Sequence, residues 1–181
     1  MSSQVDFLFR LAYALELSPP NQARTDGFEP ILQALKNRNI RYDQDKELLV
    51  FTSADDMEEA RQLAEAYEAS AEELKLLRLP RSLRTRATFT DFGFVSRLEG
   101  ICYLYAELAV LFRLQEASEE PVRPVRSFNP ASAVAQLGEH MLGDWRDADG
   151  SPVFALEAQH DELAEGIARA YGCRVEWLYR P

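Results

Sequence analysis

The sequence predicts an α+β protein, with a small N-terminal βαββα-like module packed with a helix-rich C-terminal half that ends in a short β-α-β segment. Three observations point there. Apolar residues alternate over 5–17, the period of a strand. Between 28 and 74, two helix-spaced apolar stripes flank a pair of short apolar runs. From 94 to 115 the chain is apolar almost throughout. On this reading the βαββα-like module covers 1–80. A helical and α+β module covers 88–181, built on the apolar helix 94–115, and the two can form one continuous domain.

The alternating residues are Val5, Phe7, Phe9, Leu11, Tyr13, Leu15 and Leu17. A helix face through Phe7, Leu8, Leu11, Ala12 and Leu15 also fits, but so long an alternation favours a strand. Proline at 19 and 20 ends either element. Asp26 can cap a helix that places Phe28, Ile31, Leu32 and Leu35 on one face, and Asn37 and Asn39 suit its left-handed exit. The runs Ile40–Tyr42 and Leu48–Phe51, with Asp43–Glu47 as a polar turn between them, read as a hairpin. Ser53, with Asp56 three residues on, then caps a helix whose stripe is Met57, Ala60, Ala64, Tyr67, Ala71 and Leu74. Its other face is acidic.

The segment 31–67, ILQALKNRNIRYDQDKELLVFTSADDMEEARQLAEAY, resembles the compact modules of secretion-ring subunits and of the cytosolic domain of some rhomboid proteases. The resemblance covers about a fifth of the chain. It rests on a helix, Asn39-Ile40-x-Tyr42, a hairpin and an Ala-rich acidic helix. It implies a module that packs against other proteins.

Lys75, Arg78, Arg81, Arg84 and Arg86 form an acid-free basic hinge interrupted by Pro80, with a module boundary near 80–88. Beyond it, Val95, Leu98, Cys102, Tyr105, Ala109 and Phe112 line a helical face, widened by Ile101, Leu104, Leu108 and Leu111. A helix this apolar belongs in a core or an oligomer interface, which allows a homodimer. Residues 116–127 read as a charged linker. Asn129-Pro130 starts a helix with the stripe Val134, Leu137 and Met141. A turn at 147–150, a strand at 153–156, a helix at 161–171 stopped by Gly172, and a strand at 173–179 complete the chain.

Hydrophobic residues make up 46% of the 181, enough for a proper core. The net charge of −10, from 30 acids and 20 bases, argues against nucleic acid and membrane surfaces as main partners. The N-terminus lacks a basic region, and no apolar run is long enough to span a bilayer. The two cysteines, Cys102 and Cys173, read as small buried thiols. Together these features predict a cytoplasmic protein.

Few residues offer chemistry. Aligning a calcium loop on Gly150 puts Trp145 first and Leu156 last, where carboxylates are needed, so Asp144, Asp147 and Asp149 read as a polar turn. The two histidines, His140 and His160, belong to no HExxH or HxH motif. A metal or acid-base site would require both to converge with a carboxylate. No metal ligand and no cofactor is therefore assigned. Glu99, Tyr103 and Glu107 fall one turn apart on the expected apolar helix and, with His140, are the candidate catalytic residues of a small enzyme. Arg78, Arg81 and Arg84 could contact phosphate, the mark of a nucleic-acid-associated factor. The preferred expectation is a non-enzymatic protein-binding protein of the adaptor, assembly-chaperone or toxin-antagonist type. It would steer toward another protein through an acidic surface at Glu58, Glu65 and Glu72.

Overall fold

In the computed structural model, which describes residues 8–18, 28–117 and 127–181, the alternating run near the N-terminus is strand β1 (Arg10–Ser18). Leu15 and Leu17 are buried on one face, and Ala12 and Ala14 on the other. Small alanines explain why a run that alternates apolar with helix formers still lies in a sheet covered on both sides. The Asp26 cap, the prolines at 19–20, the start of the alternating run and most of 116–127 lie outside the described residues.

Helix α1 (Glu29–Asn37) follows, with Pro30 in its first turn. It exits through Asn39, whose φ of 57° is a left-handed conformation that asparagine tolerates. The hairpin forms one step later than the hydropathy suggests. Its strands are β2 (Asp43–Asp45) and β3 (Leu48–Phe51), and the turn is only Lys46-Glu47, with Lys46 at φ 52°. Ser53 caps α2 (Ala54–Ala66) by accepting from the Asp56 amide at 3.4 Å. This helix stops before the expected end of its stripe. Glu68 takes a φ of 59°, the chain reverses, and β4 (Ser70–Arg78) begins. Tyr67, Ala71 and Leu74 therefore continue the helical spacing without continuing the helix.

The chain divides into two compact units. The first comprises Phe9–Leu79 and Val95–Tyr105. Its strands belong to a six-stranded antiparallel sheet that also includes β6 (Gly93–Val95) and β7 (Cys102–Tyr105), in the order β2-β3-β1-β4-β7-β6. Helices α1 and α2 lie on one face. Ile31, Leu35, Met57, Ala60 and Leu63 meet Leu15, Leu17, Leu49 and Phe51 in the core.

The second unit contains Pro80–Phe94 and Ala106–Pro181. After β5 (Arg84–Thr85) and the short α3 (Phe89–Phe92), it holds β8 (Ala109–Glu116), α4 (Pro130–Leu137), β9 (Met141–Arg146), β10 (Pro152–Glu157), α5 (Asp161–Ala170) and β11 (Cys173–Tyr179). The sheet order is β11-β8-β10-β9-β5, with each neighbouring pair antiparallel. Ala133 and Leu137 of α4 and Ala164 and Ile167 of α5 pack on Val110, Phe112, Phe154 and Leu156. Trp177 of β11 meets the Phe112 ring edge-on at 5.7 Å between centroids.

Two expectations are overturned here. The C-terminal half is not helix-rich but is built on this five-stranded sheet. The apolar helix 94–115 does not exist. Its residues form β6, β7, a 3-10 turn at Ala106–Leu108, and β8. A central strand buried on both faces is as uniformly apolar as a buried helix, so periodicity cannot separate them. The aromatic and β-branched content at Tyr103, Tyr105, Val110 and Phe112 was the signal for strands. Likewise, Met141 does not complete the α4 stripe but opens β9. Among the described residues, no helix is long and apolar enough to cross a membrane.

Candidate functional site

Strand register in the first unit gathers carboxylates into one row. Asp45 pairs with Leu48, Leu48 with Glu16, and Glu16 with Glu72, so all four side chains share one sheet face. Leu15, Leu17, Leu49 and Phe51 have the opposite parity and point to α1 and α2. The acidic row thus lies on the face away from the helices. Glu16 and Glu72 are exposed and stand directly opposite each other. Among the described residues, no ion pair reaches either one. Asp45 is 3.4 Å from the exposed guanidinium of Arg97.

The helical acids behave differently. Glu58 is bound by Arg61 through two hydrogen bonds of 2.9 and 2.6 Å, and it also accepts from Gln62. These bonds hold its carboxyl down at about 2. Arg61 also pairs with Glu65 and lies 3.5 Å from Glu73, while Glu59 is held by Arg38 at 2.7 Å. The negative charge of α2 is therefore partly neutralised along its own surface. Glu72 is on β4 rather than α2, so Glu58, Glu65 and Glu72 do not share one helix face. Sequence reasoning missed Glu16, because only strand pairing reveals that it faces Glu72.

The expected catalytic constellation does not assemble as a helical stripe. Glu99 lies in an exposed turn, Tyr103 on β7, and Glu107 in the exposed 3-10 turn of the other unit. Tyr103 is 1% exposed and donates from its hydroxyl to Asp43 Oδ2 at 3.0 Å. Asp43 Oδ1 accepts from the amides of Gln44 at 2.8 Å and Glu99 at 3.1 Å. Burial, then the Asp43 charge, drives the Tyr103 pKa well above its ordinary range. A phenol so held is a structural donor, not an acid poised for neutral pH. A shallow cleft of about 230 Å³ in the same unit, lined by Phe28, Glu29, Gln44, Lys46 and Arg97 among others, includes none of the expected catalytic residues.

The basic hinge is divided between the units. Arg78 lies in the first, 3.9 Å from Glu99. Arg81 is exposed in a turn of the second. Arg84 and Arg86 both clamp Asp144, which is buried on β9; the Arg86 contact is 3.1 Å. The turn at 147–150 is a hairpin turn: Asp147 Oδ1 accepts from the amides of Asp149 and Ser151, each at 3.1 Å.

His140 and His160, which share no sequence motif, are brought together by the fold. His140 ends a 3-10 turn after α4, and His160 ends another before α5. Their rings stack with centroids 3.8 Å apart and planes inclined by 35°. Between them in sequence, Glu157 ends β10 and is buried, with its Oε2 3.2 Å from His160 Nε2. The two histidines thus do converge with a carboxylate. The Glu157-x-x-His160 spacing was visible in the sequence, but the approach of His140 needs the β9-β10 pairing.

No protein-family model, no curated protein and no solved structure matches this chain.

Proposed function

We propose that this protein is a non-enzymatic cytoplasmic binding protein that docks a basic partner protein at the exposed Glu16 and Glu72, beside Asp45, where the acidic row emerges at the margin of its sheet face. The observation that carries this reading is the Glu16–Glu72 pair. Like charges directly opposite on paired strands oppose folding, and here no neighbouring cation of the described residues relieves them. A partner that inserts lysine or arginine over this row removes the repulsion and gains charge-assisted contacts. The net charge of −10 adds long-range attraction for the same partner. The two free cysteines agree with a reducing compartment.

A tagged pull-down from the native cell, read by mass spectrometry and run beside Glu16→Lys and Glu72→Lys variants, tests this. The proteins lost from the variants should be basic, and their capture by the parent should weaken with added salt. Identical capture by parent and variants would remove this face as the docking surface.

A further inference from the structure

The convergence in the second unit carries an inference independent of that docking face. We propose that His140, Glu157, Gln159 and His160 form a four-coordinate site for a divalent transition ion of the zinc type.

The donor set is the first ground. One ligand atom from each of His140, Glu157 and His160 lies within 4.8 Å of the other two. Imidazole and carboxylate together suit zinc and its neighbours, and the borderline softness of imidazole disfavours calcium or magnesium. Glu157 is 8% exposed, so its charge is largely removed from water. One neighbouring His160 leaves the stacked His140 ring unexplained, because a plain carboxylate–imidazolium pair needs only one histidine. Two imidazoles and one carboxylate around a dication account for all three.

Gln159 supplies the second ground. Its amide nitrogen is 2.8 Å from Glu157 Oε2 and 3.5 Å from His160 Nε2. With the 3.2 Å between Oε2 and Nε2, these three atoms form a triangle with edges of 2.8, 3.2 and 3.5 Å. Bonds of about 2.0–2.1 Å in a tetrahedral zinc centre imply ligand-to-ligand edges of about 3.3–3.4 Å. The triangle's edges bracket that length, so small side-chain shifts bring it to the size of one tetrahedral face. His140, whose ligand atom lies within 4.8 Å of those of Glu157 and His160, would supply the fourth ligand by turning its ring out of the stack. Half a turn of the terminal amide exchanges Nε2 for Oε1 at its vertex, which converts a donor to Glu157 into an oxygen ligand.

A site closed by four protein ligands is of the structural kind, without a standing position for water. Its ligands come from the ends of a 3-10 turn, of β10 and of the turn that leads into α5. The ion would bind these three chain ends together.

The test uses the full chain freed of metal by a chelator and titrated with Zn²⁺, with Co²⁺ as a spectroscopic probe. The chain has only two histidines, so its imidazole NMR signals need no variant for assignment to this site. One equivalent of Zn²⁺ should shift both spin systems, and Co²⁺ should give the intense visible bands of a four-coordinate ion. A His140→Ala/His160→Ala chain should lose the uptake, and Glu157→Gln, which preserves shape, should weaken it. Gln159→Ala should lower affinity by roughly tenfold and shift the Co²⁺ bands as water takes the vacated position. Absence of stoichiometric uptake, or shifts confined to one histidine, would overturn the site. Unchanged Co²⁺ spectra and affinity in Gln159→Ala would overturn the assignment of Gln159 as the fourth ligand.

Discussion

Tyr103 and Asp43, 60 residues apart in sequence, are joined by a hydrogen bond of 3.0 Å between side chains that are 1% and 5% exposed. The bond ties the first residue of β2 to β7, strands that are not neighbours in the sheet. Tyr103→Phe removes the phenolic donor and leaves Asp43 with two backbone donors. The cost should be about 1–3 kcal/mol at neutral pH, measured by urea unfolding. An alkaline effect follows from the raised Tyr103 pKa. A tyrosine whose folded pKa exceeds its unfolded value contributes stability that is complete below the unfolded pKa, near 10.0, and is lost as pH rises above it. Stability should therefore fall above pH 10 less steeply in Tyr103→Phe than in the parent. Tyr42, Tyr105 and Tyr179, whose pKa values are also raised by burial, keep part of that slope.

The opposed carboxylates permit a test in which stability and binding move in opposite directions. Glu72→Lys replaces a repulsive cross-strand pair with an attractive one and should stabilise the fold by about 0.2–1 kcal/mol. The same substitution should reduce capture of the basic partner. A variant that is both less stable and less able to bind would point to simple damage, and the docking reading would lose its support.

Leu108 and Leu111 are three residues apart, and the expected helix put both in the core. In the fold, Leu108 is 45% exposed in the 3-10 turn, whereas Leu111 on β8 is 0% exposed. Leu111→Ala should lower stability by about 2–5 kcal/mol, and Leu108→Ala by much less. Thermal unfolding of the two variants measures the contrast directly. Equal losses would restore the helix.

Both thiols have their pKa values raised by burial. Neither should be a ready nucleophile at neutral pH, since the thiolate is the reactive form. Cys173 is fully buried and Cys102 only partly so. A thiol reagent should therefore modify Cys102 first, and both should react quickly once the chain is unfolded. Native labelling of Cys173 at the unfolded rate would contradict the placement of β11.

Local signals were legible where the chemistry is local. Ser53 and Asn129 cap helices, and each accepts from the amide three residues on, as their sequence positions suggest. Asn39 takes the left-handed exit, Gly172 ends the α5 region at φ 65°, and the Cys173–Tyr179 strand has the expected bounds. These features depend on a few neighbouring residues and on backbone sterics. Pattern length misled where burial made two periods look alike. The run 101–114 is apolar because β7 and β8 are covered on both faces, and the sequence cannot say what covers them. In α2, the apolar spacing outran the helix because Glu68 accepted a left-handed turn.

The sequence by itself determined an acidic chain with a proper core, the caps of α2 and α4, its final helix and strand, and which side chains could ionise. Tertiary structure alone decided which of those side chains meet. Glu16 faces Glu72 only through the β1-β4 register, and His140 reaches Glu157 and His160 only through the pairing of β9 with β10. The physical reason is that sheet register joins residues far apart in sequence. It is set by the whole pattern of strand burial rather than by any local motif.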